Sequence, residues 1–273
     1  MNTPEKQLVY DRELQIEGYL FRGMAQPFPT HFHGCYVLGL VESGTRRLAC
    51  RGREWRLGPG CLMLLNPGES HACVQQEGAL DYRSANVPIE AMLELSHGLT
   101  ADGTLPVFPA PAVECGTLAE QFQTFHRRLM SGGSFAASEA LVLFLSNLLE
   151  PHAKGAEPEA CRGDMEDVCT FLEQHLAERV TLGQLCRRIG LSKSTLLRSF
   201  TREFGITPYR YLETIRVNEA KRLLKQGIPP LEAALRTGFS DQCHFTNRFV
   251  SHIGLPPGMY RAVRGGKEKN DGF

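Results

Sequence analysis

The feature that most constrains this chain is a degenerate repeat in its C-terminal third. Residues 182–200 read LGQLCRRIGLSKSTLLRSF and residues 230–249 read PLEAALRTGFSDQCHFTNRF, with Gly190-Leu-Ser matching Gly238-Phe-Ser 48 residues on. The copies close on Gly205-Ile-Thr-Pro208 and Gly254-Leu-Pro-Pro257. Each copy has the logic of two short helices joined by a tight turn. The first helices are expected at Leu182–Ile189 and Pro230–Thr237, and each holds a small residue, Cys186 or Ala234, where the second helix crosses closely. The glycines supply a left-handed C-terminal cap that other residues resist. Ser192 and Ser240 then read as N-caps of second helices at Lys193–Glu203 and Asp241–His252. Those helices would bury Leu196/Phe200 and Phe245/Phe249 and leave a polar face outward, as a helix entering a DNA major groove requires.

Between the copies, Pro208–Gln226 is amphipathic and opens with Thr207-Pro208, an N-cap followed by proline in the first turn. Nineteen residues of helix span about 28 Å. Two recognition helices reading one face of a duplex stand ~34 Å apart, so a rod of this size sets a workable spacing. Charge agrees. The 30 basic and 30 acidic side chains cancel overall, but residues 1–162 carry 13 Lys+Arg against 18 Asp+Glu, and residues 163–273 carry 17 against 12. A basic half on an acidic half suits a polyanion-binding module joined to a sensing or assembly module.

On these residues, including Tyr211–Leu224, the Gly238-Phe-Ser-Asp-Gln242 run and Gly254–Arg261, residues 164–264 resemble the tandem helix-turn-helix domain of the AraC/XylS transcription regulators. The resemblance implies double-stranded DNA as partner. It places base reading on Ser194, Leu197 and Arg198, with Thr195 beside them, and on Gln242, Cys243, Thr246 and Asn247. Arg198 has the chemistry to fork onto guanine and Gln242 onto adenine. Lys193, Arg202 and Arg248 fall to phosphates, and the Ser240 cap region offers backbone N–H groups to another. Leu197 and Asn247 depart from the commoner choices of that family. Tyr211, Arg216, Ala220 and Leu224 read as structural, and His244 and His252 as surface or packing residues.

Residues 13–88 read as short strands between turns at Glu42–Thr45, Gly52-Arg53, Gly58–Gly60 and Asn66–Gly68, the rhythm of a sandwich or barrel. Pro29-Thr-His31-Phe-His33 and Asn66–His71 resemble the small cupin barrel often joined to this DNA-binding domain. In metal-binding cupins an HxH pair, a carboxylate and a later histidine converge. Here His31, His33 and His71 stand in place, but the carboxylate position near Val37–Leu38 is apolar and Glu42 lies too far along, so no metal or other cofactor is expected. The preferred reading makes the histidines part of an effector pocket with Tyr36, Trp55, Tyr82 and Arg83. Residues 89–116 read as an irregular connection. Thr117–Met130 and Ser134–Leu149 read as apolar helices whose surplus surface suits a homodimer contact through residues 117–149.

The expected fold is thus α+β in two domains. A small cupin-like β-barrel with two flanking helices spans 1–155 and a linker spans 156–163. An all-α domain of two helix-turn-helix units on a long helix spans 164–264, ahead of a flexible tail at 265–273. No apolar run reaches the ~18–20 residues of a bilayer span, and the first twenty residues lack a signal-peptide pattern. Nine cysteines without a CxxC pair suit reduced core thiols in the cytoplasm. Nucleophile and metalloprotease motifs such as GxSxG and HExxH are missing, so no catalytic residues are assigned. The function expected is an effector-controlled, sequence-specific transcription regulator, with RNA polymerase as a further partner. The alternative is a cupin metalloenzyme fused to a DNA-targeting module.

Overall fold

The computed structural model describes residues 4–96, 99, 104–155 and 163–264, and the chain divides into two compact units, 1–159 and 160–273. Apart from Gly163, the expected linker and tail lie outside the described residues.

The first unit runs β1 (Glu5–Tyr10), β2 (Glu17–Met24), β3 (Phe28–His31), β4 (Tyr36–Cys50), β5 (Arg53–Leu57), β6 (Cys61–Leu65), β7 (His71–Val87), α1 (Ile89–Ser96), β8 (Pro106–Val107), β9 (Ala112–Glu114), α2 (Gly116–Met130), α3 (Ser134–His152) and β10 (Lys154–Gly155). Its antiparallel sheet has the order β1-β2-β7-β4-β6-β9, with β3 also on β7 and β5 also on β4. The two long strands β4 and β7 carry the design. Their two ends differ in partners: β2 and β6 flank one end of the pair, β3 and β5 the other.

The turn expected at Glu42–Thr45 is instead an irregularity inside β4, where the register against β7 shifts between Val41 and Ser43 and again between Ser43 and Thr45. Gly44 sits there at φ 76°, and a Cβ on it would collide with the Ala79 carbonyl oxygen. The bulge bends the strand without ending it, and so curls the sheet. The sheet does not close. Along the described strands, β1 pairs only with β2 and β9 only with β6, so the expected barrel is an open, curled one.

Alternation then sorts side chains to two faces. Tyr36, Leu38, Leu40, Leu62, Leu64, Ala85 and Val87 join Phe122, Phe125, Phe144 and Leu148 of α2 and α3 in the main core. The intervening Val37, Val41, Met63, Leu65 and Tyr82 are buried too, on the concave face. Gly39 is small because Tyr82 fills the space a Cβ would need. The stretch expected to be irregular, 89–116, holds helix α1 and strands β8 and β9, and α3 runs past the expected Leu149 to His152, with Pro151 in its last turn. Lys154 and Gly155 then pair with Val107 and Pro106, tying the end of α3 back to the unit.

The second unit is helical: α4 (Asp164–Gln174), α5 (Leu182–Ile189), α6 (Lys193–Phe204), α7 (Pro208–Lys225), α8 (Pro230–Arg236), α9 (Gln242–Ile253) and α10 (Pro257–Arg264). α7 is the spine. Tyr211 donates to Glu173 of α4 at 2.8 Å, Arg216 donates to the carbonyls of Leu176 and Glu178, and Ala220 and Leu224 are fully buried.

Candidate nucleic-acid interface and effector site

The sequence dictates α6 locally. Thr181 and Gln184 form a capping box that starts α5, and Gly190 ends it in the left-handed region at φ 69°. Ser192 caps α6, its hydroxyl accepting from the Thr195 N–H at 3.3 Å. Leu196 and Phe200 are fully buried, Phe200 against Phe204 and Tyr211 at ring separations of 4.7 and 5.6 Å. This pins one face inward and leaves Lys193, Ser194, Leu197, Arg198 and Arg202 exposed, with Thr195 half-buried.

The second helix-turn-helix repeats the plan with one residue more. Its cap is Asp241, not the expected Ser240: the carboxylate accepts from the His244 N–H at 2.7 Å, and Ser240 donates to Asp241 at 2.9 Å. Asp241 pairs with Ser192 at an offset of 49, whereas the glycines stand 48 apart, because the loop from glycine to cap is longer. Gly238 has φ 78°, and a Cβ there would lie 2.7 Å from the Ala177 carbonyl oxygen, so this turn is pressed against the segment leading into α5. The backbone N–H groups expected to receive a phosphate therefore carry an anionic cap, held ionised by the His244 N–H and the Ser240 hydroxyl, which lower its pKa.

Arg248, expected on a phosphate, turns inward. Its Nε lies 2.9 Å from buried Glu213 of α7, which Arg210 also holds at 2.6 Å. Gln242, Cys243 and Asn247 are exposed and Thr246 half-buried, with Asn247 Nδ2 3.9 Å from Cys243 Sγ. His252 is a packing residue, buried and bonded to the Arg248 carbonyl at 2.8 Å, and burial lowers its pKa. His244 is half-buried beside Phe239.

In the first unit, cross-strand pairing lays out the concave face, since directly opposed residues share a side. His31, His71 and Cys50 form one rung across β3, β7 and β4. Phe28, Cys73, Leu48 and Trp55 form the next, and Arg46 stands opposite Leu57 beyond it. His33 joins His31 and His71, with ring centroids 4.8 and 5.2 Å away and candidate ligand atoms of all three within 4.8 Å. His31 and His71 donate from Nδ1 to the carbonyls of Pro29 and Glu69 at 2.6 and 2.9 Å. Burial pushes His71 down to about 4, so the ring is neutral at pH 7. The cluster includes no carboxylate. Glu42 is held by Arg83 and Gln123, and Glu69 by Arg51 and Asn66.

Five of the seven expected pocket residues, His31, His33, Trp55, His71 and Tyr82, thus belong to this region, and two do not. Tyr36 donates to the Pro106 carbonyl at 2.8 Å within the helix-side core. Arg83 is paired with Glu42 and lies 3.3 Å from His126 of α2, itself bonded to the Tyr19 carbonyl at 3.0 Å. The strand register across the Gly44 bulge puts them on the opposite face. Arg46 was missed. It is 4% exposed, with its guanidinium over the rings of Tyr82 and Phe28 at 4.5 and 5.3 Å, and no hydropathy pattern singles out such a residue. The eight described cysteines are free thiols, and burial pushes Cys50, Cys61 and Cys169 up to about 12, 11 and 12, which makes them poor nucleophiles.

Two family models match this chain: an AraC-like ligand-binding domain over residues 13–149 and a helix-turn-helix domain over residues 185–262. The HTH-type transcriptional regulator YbfI of Bacillus subtilis is 42% identical over 250 residues, covering 89% of this chain and 90% of YbfI. The chain belongs to the AraC family. This AraC-family protein is accordingly a transcription regulator with an N-terminal ligand-binding domain and a C-terminal DNA-binding one. It is also similar to the transcriptional activator RhaS of Escherichia coli O81, 26% identical over 90% of each chain. Among solved structures, ToxT of Vibrio cholerae with an unsaturated fatty acid bound shares the fold at a TM-score of 0.55, with 13% identity over 98% of this chain and all of the other. No helix among the described residues is long and apolar enough to cross a membrane.

Proposed function

We propose that this AraC-family regulator reads a bipartite DNA site through α6 and α9, and that a small molecule on the concave face of the first unit controls the binding. The observation that carries this is the pair of N-capped, outward-facing helices α6 and α9 on the single rod α7. Arg198 and Gln242 read bases, supported by Ser194, Thr195, Leu197, Cys243, Thr246 and Asn247, while Lys193 and Arg202 hold phosphates. The effector acts by binding two states of the protein unequally.

The protein works in the cytoplasm, carries out no catalysis and meets RNA polymerase at promoters. It pairs with a second copy through α3, whose Phe135, Val142 and Leu143 are 85%, 41% and 56% exposed along one helical strip. Sedimentation of the wild type against Leu143→Glu checks the dimer.

In vitro selection from random DNA, followed by hydroxyl-radical footprinting, tests the reading as a whole. The expected result is two protected segments one helical turn apart on one face of the duplex. Protection of a single groove segment, or failure to enrich any sequence, overturns it. The histidine cluster supports one rival, a metalloenzyme with a DNA-targeting module. Stoichiometric metal in purified protein, lost in His31→Ala with His33→Ala, would favour that rival.

A further inference from the structure

A buried guanidinium ordinarily has an acceptor, because an uncompensated charge away from water is costly. Arg46 breaks the rule. It is 4% exposed, its Nη2 is buried with no hydrogen-bond partner, and no carboxylate among the described residues pairs with it. The faces of Tyr82 and Phe28 lie against it, and they stabilise the cation but accept none of its in-plane N–H groups. On the same face Trp55 presents a second buried donor without partner, Nε1, opposite Leu48 and one rung from Arg46. The nearby histidines bring no negative charge, so a divalent cation would add to the charge of Arg46 rather than offset it. What this face lacks, among the described residues, is an anion.

We propose that the concave face binds a small organic acid, its carboxylate accepting from Arg46 Nη2 and the Trp55 indole N–H and its apolar body lying against Phe28 and Tyr82. The inference rests on the effector-controlled reading above and names its ligand class. A planar fork matched to a planar carboxylate gives direction as well as charge, and aromatic walls remove competing water.

Thermal unfolding of the full chain at constant ionic strength tests it, with benzoate and hexanoate as probes, benzamide and hexanamide as uncharged isosteres, and inorganic phosphate as the other anion. Carboxylates should raise the melting temperature by on the order of 3 °C at tenfold over the dissociation constant, and the amides should not. Arg46→Met should abolish that rise and, without ligand, melt above the wild type because a stranded charge is gone. Trp55→Phe, which keeps an aromatic ring and removes the donor, should weaken the carboxylate response of the folded protein. Equal responses to acid and amide, a response to phosphate alone, no anion response, or an undiminished response in both variants would each overturn the proposal. Footprints of Arg46→Met on the selected DNA keep the two readings apart: intact protection with a lost anion response leaves the DNA-reading assignment standing.

Discussion

The two helix-turn-helix units descend from one pattern and present different surfaces to a duplex. At an offset of 49, the aligned pairs are Ser192 with Asp241, Lys193 with Gln242, Arg198 with Asn247 and Ser199 with Arg248. The buried positions keep their character, Leu196 with Phe245 and Phe200 with Phe249. The outward ones do not. In the first unit a neutral hydroxyl caps α6, and Lys193, Arg198 and Arg202 are exposed cations. In the second an acid caps α9, and Arg248 is half-buried on Glu213. The repeat preserves what packs and lets vary what faces outward. On the proposed DNA-reading role, α6 is expected to supply more of the electrostatic grip and α9 more of the neutral hydrogen bonding.

Phe200→Ala and Phe249→Ala each leave a cavity in a fully buried aromatic cluster, Phe249 lying 5.5 Å from Phe245 and 5.7 Å from Tyr260 between ring centroids. Each should cost about 3–5 kcal/mol in urea melts of the full chain. A cost below ~1 kcal/mol at one site would show that the units do not share a packing plan.

Arg198→Ala should lower affinity for the selected site by ~1–3 kcal/mol and relax preference at one base position. Asn247→Ala, at the matching place in α9, should cost less, since a neutral amide replaces a charged fork. Binding measured against a panel of single-base variants separates the two. Equal weakening on every sequence would remove Arg198 from base reading.

Much of this was legible in the sequence because it rests on short-range rules. Glycine caps, Ser192, Thr207-Pro208 and apolar residues at helical spacing located every helix from Leu182 to Ile253 to within two residues. Apart from the α9 cap, what escaped depended on partners far along the chain. Ser240 looks like the counterpart of Ser192, and only the competition with the adjacent Asp241 decides the cap. Glu42–Thr45 has turn composition, but 36–50 continues as one strand because β7 runs beside all of it. Tyr36 and Arg83 are polar groups on barrel strands, and which face they take depends on a register that a one-residue bulge reverses. Arg46 lay hidden for the same reason. Its neighbours Tyr82 and Phe28 are 36 and 18 residues away in sequence.

Lys193 tests the electrostatic half of the contrast at smaller scale. Lys193→Ala removes one exposed cation from the first turn of α6. Binding should weaken by a similar factor on all sequences, and the slope of log affinity against log salt should become shallower by about 0.9. An unchanged slope would exclude Lys193 from the phosphate contacts. Gln242→Ala, at the equivalent position of α9, should leave the slope where it is.

The smallest effect runs in the opposite direction. Asp241 caps α9 with a carboxylate fully open to solvent, at the end of the helix that would otherwise attract a phosphate. Asparagine caps a helix about as well as aspartate, so Asp241→Asn should leave thermal stability nearly unchanged. Removing the charge should tighten DNA binding by roughly two- to five-fold at low salt, the gain fading as the Debye length falls below ~10 Å. Ser192→Asp is the mirror experiment, placing in the first unit the charge that nature placed in the second, and it should weaken binding by a comparable factor. If both substitutions leave affinity and its salt dependence untouched, the caps stand too far from the phosphates to matter. The difference between the units would then lie wholly in Arg198 and its neighbours.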